Sequence, residues 1–454
     1  MATLIATDKR RVIIGMGVTG LSCARYLASK QLPFLVMDSR AEPPNLAEFK
    51  KAFPDIAIQL GGLDEETLLA ANEMIISPGV SLAEPAIKKA IAAGVNYCGD
   101  IDLFQREVTA PIVAITGSNG KSTVTELVGK MAKAAGKRVA VGGNIGVPVL
   151  DLLAEKNREL YVLELSSFQL ERAGKLNAEV ATVLNISADH MDRYDSLVAY
   201  HQAKHKIFSG CKQVVVNAAD MLSKPLVPDD VKCWSFSLKQ PDFKAFGLIE
   251  DEGEEYLAFQ FEKILAVSEL KMVGRHNLEN ALAALALGHA VGLPFAAMKT
   301  ALKDFQGLPH RCQYVDSIAE VKYYNDSKAT NVGASLASIE GLKQSVNKIV
   351  LIAGGADKGA DFTPLKEAVT ENCRAVILMG VDGKQLEKAL SDSVDCCYVK
   401  DMAEAVLMAK SKAVAGDAVL LAPACASFDQ YDSYQQRGQV FVDQVATVKR
   451  QSIH

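Results

Sequence analysis

The stretch Pro111-Ile-Val-Ala-Ile115, Thr116-Gly-Ser-Asn-Gly120, Lys121-Ser-Thr123 decides how the chain is read. An apolar run of the length of one buried strand ends in a glycine-bearing turn, and a helical pattern follows. Backbone N–H groups at a helix N-terminus, reinforced by the helix dipole, suit phosphate oxygens. A lysine there adds charge for the outer phosphates, and the next hydroxyl can ligate Mg²⁺. Gly117, Ser118, Asn119, Gly120, Lys121, Ser122 and Thr123 are therefore candidate phosphate-loop residues. The loop is a compressed form of G-x-x-x-x-G-K-[ST]: the residue six before Lys121 is Ile115, and the first glycine is Gly117.

Upstream, Arg11-Val-Ile-Ile-Gly15 leads into Gly15-Met-Gly17-Val-Thr-Gly20 and a helical pattern, and Pro33-Phe-Leu-Val-Met37 ends at Asp38. This is a complete G-x-G-x-x-G with an acid 18 residues after its last glycine. Three readings stay open on these residues: a dinucleotide site with Asp38 on a ribose, another nucleotide diphosphate on the same helix N-terminus, or a tight turn with no ligand. Glu73-Met-Ile-Ile-Ser77-Pro-Gly79 reads as a further buried strand, and this unit fades near residue 100.

Downstream, apolar runs end at Glu164, Asn185 and Asn217, an Ala/Leu-rich helix is expected from about Asn280 to Val291, and Gly307-Leu-Pro309 breaks the pattern. Further strand patterns close at Asn325, Ala353, Met379 and Ala422. Strands alternating with helical patterns mean parallel sheets with crossover helices. The expected architecture is α/β, three domains in series, over 1–100, 101–308 and 309–454.

The length of 454 residues agrees with about three domains at roughly 150 each. The 49% hydrophobic and 23% charged composition is ordinary for globular cores. A net charge of −5 argues against broad nucleic-acid binding, which needs a basic face. Nine scattered cysteines without a C-x-x-C pair argue against a disulfide scaffold or zinc ribbon and for a reducing cytosol. With no apolar run near 18 residues and no N-terminal h-region, a cytoplasmic protein without a membrane span is expected.

Glu164, at a strand end downstream of the phosphate loop, is placed where a carboxylate can hold Mg²⁺. His190, in Asp189-His-Met-Asp192, follows another strand end. His201 and His205 are spaced for one helix face, but no third ligand has a zinc spacing, so a solvated face is expected. Lys204 by itself reads as a surface charge. In the third unit, 325–331, Asp357-Lys358 and Ser427-Phe-Asp429 all follow strands, where an open α/β sheet forms its ligand crevice.

Taken together, the phosphate loop, Leu163-Glu-Leu-Ser166-Ser-Phe-Gln169, Asp189-His-Met-Asp192, His276-Asn277-Leu-Glu-Asn280 and Gly307-Leu-Pro-His310-Arg311 resemble the Mur ligases, ATP-dependent amide-forming enzymes of bacterial cell-wall precursor synthesis. Asn325-Asp326-Ser-Lys328-Ala-Thr330-Asn331, Gly354-Gly-Ala-Asp-Lys358 and Pro423-Ala-Cys-Ala-Ser427-Phe-Asp-Gln430 with Arg437-Gly438 are similar to the branch that adds D-glutamate to UDP-N-acetylmuramoyl-L-alanine. The resemblance covers about residues 11–440.

The resemblance implies a Rossmann-like first domain holding the UDP of the nucleotide sugar, a central P-loop ATP domain and a Rossmann-like third domain that takes the amino acid. Val18, Thr19, Asp38, Ser39, Arg40, Ser77 and Gly79 match uridine-diphosphate positions, and Asn144, Ser166 and Gln169 match muramoyl-alanine contacts. Lys121, Ser122, Asn277, Asn280, Arg311, Asp326 and Lys328 match ATP positions. Thr330, Lys358, Ser427 and Phe428 match the D-glutamate pocket; Tyr434 stands where the family usually has phenylalanine. Ser122, Glu164 and His190 match Mg²⁺ ligands, with two ions expected, and Lys204 matches a lysine that is carbamylated in this family. A monomer is expected, with Lys121, His190 and Lys204 closest to the chemistry. Two rivals remain on the residues alone: an NAD-dependent oxidoreductase resting on the first fingerprint, and a phosphate-binding protein without turnover.

Overall fold

β-Branched and aliphatic runs bounded by glycine and polar turns build three successive sheets in the computed structural model, which describes residues 10–272, 274–343, 345–357 and 359–452. The first sheet has five parallel strands in the order Ile58–Leu60, Phe34–Asp38, Arg11–Ile14, Glu73–Ile76, Asn96–Cys98. Chain order reverses beside Arg11–Ile14, so a crevice opens past the carboxyl ends of Arg11–Ile14 and Glu73–Ile76. That is where Gly15–Gly17 and Ser77–Gly79 lie.

The second sheet has nine strands. Its parallel part runs Val139–Gly143, Leu160–Glu164, Ile112–Thr116, Val180–Val183, Gln213–Asn217, Lys232–Phe236, Ala245–Asp251. Two antiparallel strands, Glu254–Phe259 and Glu262–Ala266, finish that edge. The third sheet is parallel from Val321–Asn325 through Ala418–Leu421, Ile349–Gly354 and Cys373–Met379 to Asp395–Tyr398, with Gln313–Ile318 antiparallel on the outside. The three α/β domains in series stand as expected.

The Ala/Leu-rich helix spans Arg275–Ala290 and starts five residues earlier than the apolar pattern indicated. Its first turn, Arg275-His-Asn277, is polar, so apolar periodicity becomes visible only at Leu278. Leu278 and every residue from Ala281 to Gly288 are buried, as in a helix covered on several sides. It packs on the helix Lys121–Ala134 and carries Asn277 and Asn280 toward the phosphate loop. Among the described residues no helix is long and apolar enough to cross a membrane.

Candidate functional site

The strand Ile112–Thr116 is wholly buried and ends in the phosphate loop, which feeds the helix Lys121–Ala134. Gly120 has φ +82°, and a Cβ there would meet Asn280 Oδ1 at 2.4 Å. Only glycine fits that joint without displacing the asparagine. The loop is tied down by Asn185, whose backbone O accepts from Ser118 N (2.9 Å) and whose Oδ1 accepts from Asn119 N (2.8 Å). Lys121 Nζ donates to Gly117 O (2.7 Å) and Ser118 O (2.8 Å).

Lys204 is not a surface charge: it is 1% exposed, and its Nζ donates to the same Gly117 carbonyl at 2.8 Å. The periodicity of Leu197–His205 could not show this, because the helix is covered by the phosphate-loop side of the domain. Burial drives the Lys204 ammonium far below the usual lysine range, and the neighbouring Lys121 charge pushes the same way. Glu164, 1% exposed, accepts from Asn144 Nδ2 at 2.7 Å through Oε1, while Oε2 is buried with no hydrogen-bond partner. A buried carboxylate oxygen left unsatisfied is costly, and a bound ion or water would satisfy it. Glu164, Ser122, His190 and Lys204 line one cleft of about 260 Å³ together with Asn144, Ser166, Lys328 and Thr330. The Glu164 carboxylate and Ser122 hydroxyl in this cleft are oxygen donors of the kind that fits Mg²⁺. His190 has a left-handed backbone (φ +59°), with its ring edge-on to Phe168 at 4.8 Å.

An adjoining cleft of about 270 Å³ contains Asn119, Gly120, Thr123, Asn277, Asn280, Arg311, Asp326 and Lys328. Arg311 crosses from the third domain and donates from Nη2 to Ser122 Oγ (2.6 Å). Burial raises the Asp326 carboxyl to about 6 against the hydrogen bond from Ser338. Lys328 Nζ lies 4.2 Å from the Tyr434 ring centroid, so Tyr434 is placed under this ammonium.

In the first domain Val18, Thr19, Asp38, Ser39, Arg40, Ser77 and Gly79 share a cleft of about 450 Å³. Asp38 is 2% exposed and already engaged: Oδ2 accepts from Met16 N (2.7 Å) and Arg40 Nη2 (2.8 Å), and Oδ1 from Arg40 N and Nε (both 2.9 Å). Burial alone would raise its pKa, but these bonds outweigh it and hold the carboxylate below its ordinary range. An acid so occupied fixes the Arg40 guanidinium at the cleft and is poorly placed to read a ribose hydroxyl.

Gln169 is not among the residues that line the cleft of about 260 Å³. It is 3% exposed, donates to Asp100 Oδ2 (3.0 Å) and accepts from Ser166 N (3.1 Å), standing behind Ser166. In the third domain Thr330 faces the central cleft, Ser427 is buried and Phe428 is 76% exposed. Lys358 lies outside the described residues. His201 and His205 stack at 3.9 Å, and no cluster of three or more metal-binding side chains exists among the described residues.

Arg437 and Asn331, quoted in the motifs, had no role assigned. Arg437, 2% exposed, donates to Ser327 Oγ and O, Cys425 O and Ala426 O, pinning the loops that carry Asp326, Lys328 and Ser427. Asn331 caps the helix Val332–Leu342 through Oδ1 and donates from Nδ2 to Asp189 (3.1 Å) and Asn119 (3.3 Å) across the domain boundary. Neither has a periodicity signal, and the contacts of Arg437 with Ser327 and of Asn331 with Asp189 and Asn119 join segments far apart in sequence.

Three α/β domains with a phosphate loop in the middle one, met by cationic loops from the third, define a multidomain nucleotide-binding α/β protein. Family models for the MurD-like N-terminal domain, the Mur ligase middle domain and the Mur ligase glutamate ligase domain match residues 9–99, 115–288 and 310–425. The chain belongs to the Mur ligase family. It is 59% identical to the UDP-N-acetylmuramoylalanine--D-glutamate ligase of Pseudomonas aeruginosa, over 98% of this chain and 99% of that protein. The protein of the same name from Marinobacter nauticus is 49% identical over 97% and 98%. The fold is similar to that of UDP-N-acetylmuramate-alanine ligase from Thermotoga maritima, with a TM-score of 0.60, 20% identity and coverage of 97% of this chain and 100% of that one.

Proposed function

We propose that this chain is an ATP-dependent acid–amino-acid ligase adding D-glutamate to UDP-N-acetylmuramoyl-L-alanine, in cytoplasmic peptidoglycan precursor synthesis. The relatives that bear that name over nearly the whole chain support the substrates. The observation that carries the chemistry is that a buried, deprotonation-prone Lys204 and the unsatisfied Glu164 Oε2 belong to residues lining one cleft beside the phosphate loop. We take the domains as 1–100 for the nucleotide sugar, 101–308 for ATP and 309–454 for the amino acid.

A carboxylate does not react with an amine, because oxide is a hopeless leaving group. An oxygen of the alanine carboxylate attacks the γ-phosphorus, the bond to ADP breaks, and an acyl phosphate forms. The amine of D-glutamate then attacks the acyl carbon, passes through a tetrahedral intermediate, loses a proton and expels phosphate. Attacker, transferred group and leaving group are all anionic, so cations must gather there. Lys121, Lys328 and Arg311 supply protein charge, and Asn277, Asn280 and Asp326 line the nucleotide cleft. Ser122, Glu164, His190 and Lys204 as its carbamate would hold Mg²⁺, two ions in all; bound Mg²⁺ neutralises phosphate charge. A carbamate needs a neutral amine, and burial of Lys204 favours that form.

Val18, Thr19, Asp38 with Arg40, Ser39, Ser77 and Gly79 hold the uridine diphosphate. Asn144 and Ser166, backed by Gln169, face the muramoyl-alanine. Thr330, Lys358, Ser427 and Phe428 receive D-glutamate, the lysine reading a carboxylate.

Release of ADP measured with and without each of D-glutamate and the nucleotide sugar tests the whole reading. Turnover is expected only with both; turnover indifferent to either acceptor would overturn it, and hydride transfer to NAD would favour the oxidoreductase.

A further inference from the structure

Loop 77–80 of the first domain is held from behind by two arginines of the central domain. Arg172, with a side chain 0% exposed, donates from Nη2 to Val80 O (2.8 Å) and from Nη1 to Pro78 O (3.2 Å). Arg193 donates from Nη2 to the same Val80 O (3.1 Å) and from Nη1 to Gly79 O (3.5 Å). The acid within reach of both is Glu171, at 3.4 and 3.3 Å. Two guanidinium groups converging on one carbonyl define the position of the loop tightly.

Arg193 has a second face. Its guanidinium carbon is 4.9 Å from the centroid of the Phe168 ring, against which the His190 ring packs at 4.8 Å. Arg193 N also donates to His190 O (2.9 Å), closing the turn that puts His190 in its left-handed conformation. Phe168 stacks on Tyr194 (5.9 Å), Tyr194 packs on Tyr200 (5.3 Å), and Tyr200 Oη lies 3.2 Å from Ser118 Oγ in the phosphate loop. One side chain therefore touches the nucleotide-sugar loop and the aromatic support of both His190 and the phosphate loop.

We propose that Arg193 is a positioning residue that couples occupancy of the nucleotide-sugar loop to the geometry of His190 and the phosphate loop. A ligand that orders loop 77–80 fixes the Val80 carbonyl, and with it the Arg193 plane over Phe168. The proposal rests on the functional reading above. Coupling between two sites is reciprocal and of the order of 5- to 150-fold in typical proteins.

The test is a linkage measurement by calorimetry on the full chain. The affinity for UDP-N-acetylmuramoyl-L-alanine is measured without and with a saturating non-hydrolysable ATP analogue and Mg²⁺. Wild type is expected to bind the nucleotide sugar on the order of tenfold more tightly with the analogue present. In Arg193→Ala that ratio is expected to fall to near one, while affinity without the analogue changes less than about threefold, because Arg172 still holds the loop. Should the alanine variant unfold, Arg193→Lys decides: it keeps a charge over the ring but loses the planar fork, and the ratio should drop at least about threefold. A wild-type ratio of one, or an unchanged ratio in the folded variant, overturns the proposal. Failure of wild type to bind either ligand would instead sink the functional reading, and the proposal with it.

Discussion

Lys121 and Lys204 donate to one carbonyl, Gly117 O, but differ in surroundings: Lys121 is half-buried and Lys204 is enclosed. Lys121 has its Nζ on the loop proposed to hold phosphates, and Lys121→Ala should lower turnover by on the order of 100-fold or more while the fold survives. ATP-dependent ligation near the wild-type rate would refute that role. Lys204 is enclosed, so Lys204→Ala should be inactive and partly rescued by added short-chain carboxylates, which restore an anionic oxygen. An active variant indifferent to the additive would exclude the carbamate.

His276 is a third residue whose environment makes a measurable statement. Its Nδ1 is buried without a partner, and burial lowers the ring pKa to about 4, opposed by a hydrogen bond with the Ala337 backbone. Its folded pKa lies below the unfolded value near 6.5, so the folded state favours the neutral ring. The stability this contributes is present above about pH 6.5 and is lost as pH falls toward 4, by up to about 3 kcal/mol. Urea unfolding at pH 7 and pH 4.5 should show that loss, and His276→Asn should reduce it; an equal loss in the variant would show that other groups dominate.

At the scale of elements, the strand–turn–helix units were readable because they use two local signals, an apolar run and a glycine where φ must be positive. Gly120 shows how strict the second is: Gly120→Ala forces a left-handed alanine and a clash with Asn280 Oδ1. A stability cost of about 1–3 kcal/mol and a weakened ATP affinity are expected, checked by thermal unfolding and nucleotide titration. The antiparallel pair Ala245–Asp251 and Glu254–Phe259 was less visible, since it carries five acids at its turn end, at 250–252 and 254–255, and its burial does not alternate along the strands. The start of Arg275–Ala290 was obscured for the same physical reason. A polar first turn facing a cleft carries no apolar period.

Over the whole molecule, the site is assembled from contacts between domains. Arg311 reaches Ser122, and Asn331 reaches Asn119 and Asp189, each joining the third domain to the central one. Asn331→Asp keeps a helix cap but removes two donors and sets a carboxylate opposite Asp189. It should lower kcat/KM for D-glutamate by about tenfold or more, roughly the effect of 1.4 kcal/mol, with little change in melting temperature. Unchanged kinetics would show that this contact does not hold the domains together.

Which residues to propose for the chemistry could be read in the chain itself, because a phosphate loop, a strand-end carboxylate and polar loops after strands are local patterns dictated by backbone geometry. Environment could not. Lys204 by itself read as a surface charge until the fold buried it, a ribose contact was one of three readings open at Asp38 before Arg40 occupied it, and Arg193, Asn331 and Arg437 had no role assigned. Desolvation and hydrogen bonding depend on what other segments bring within a few ångströms, so charge state, orientation and coupling between sites were decided only when the three sheets came together.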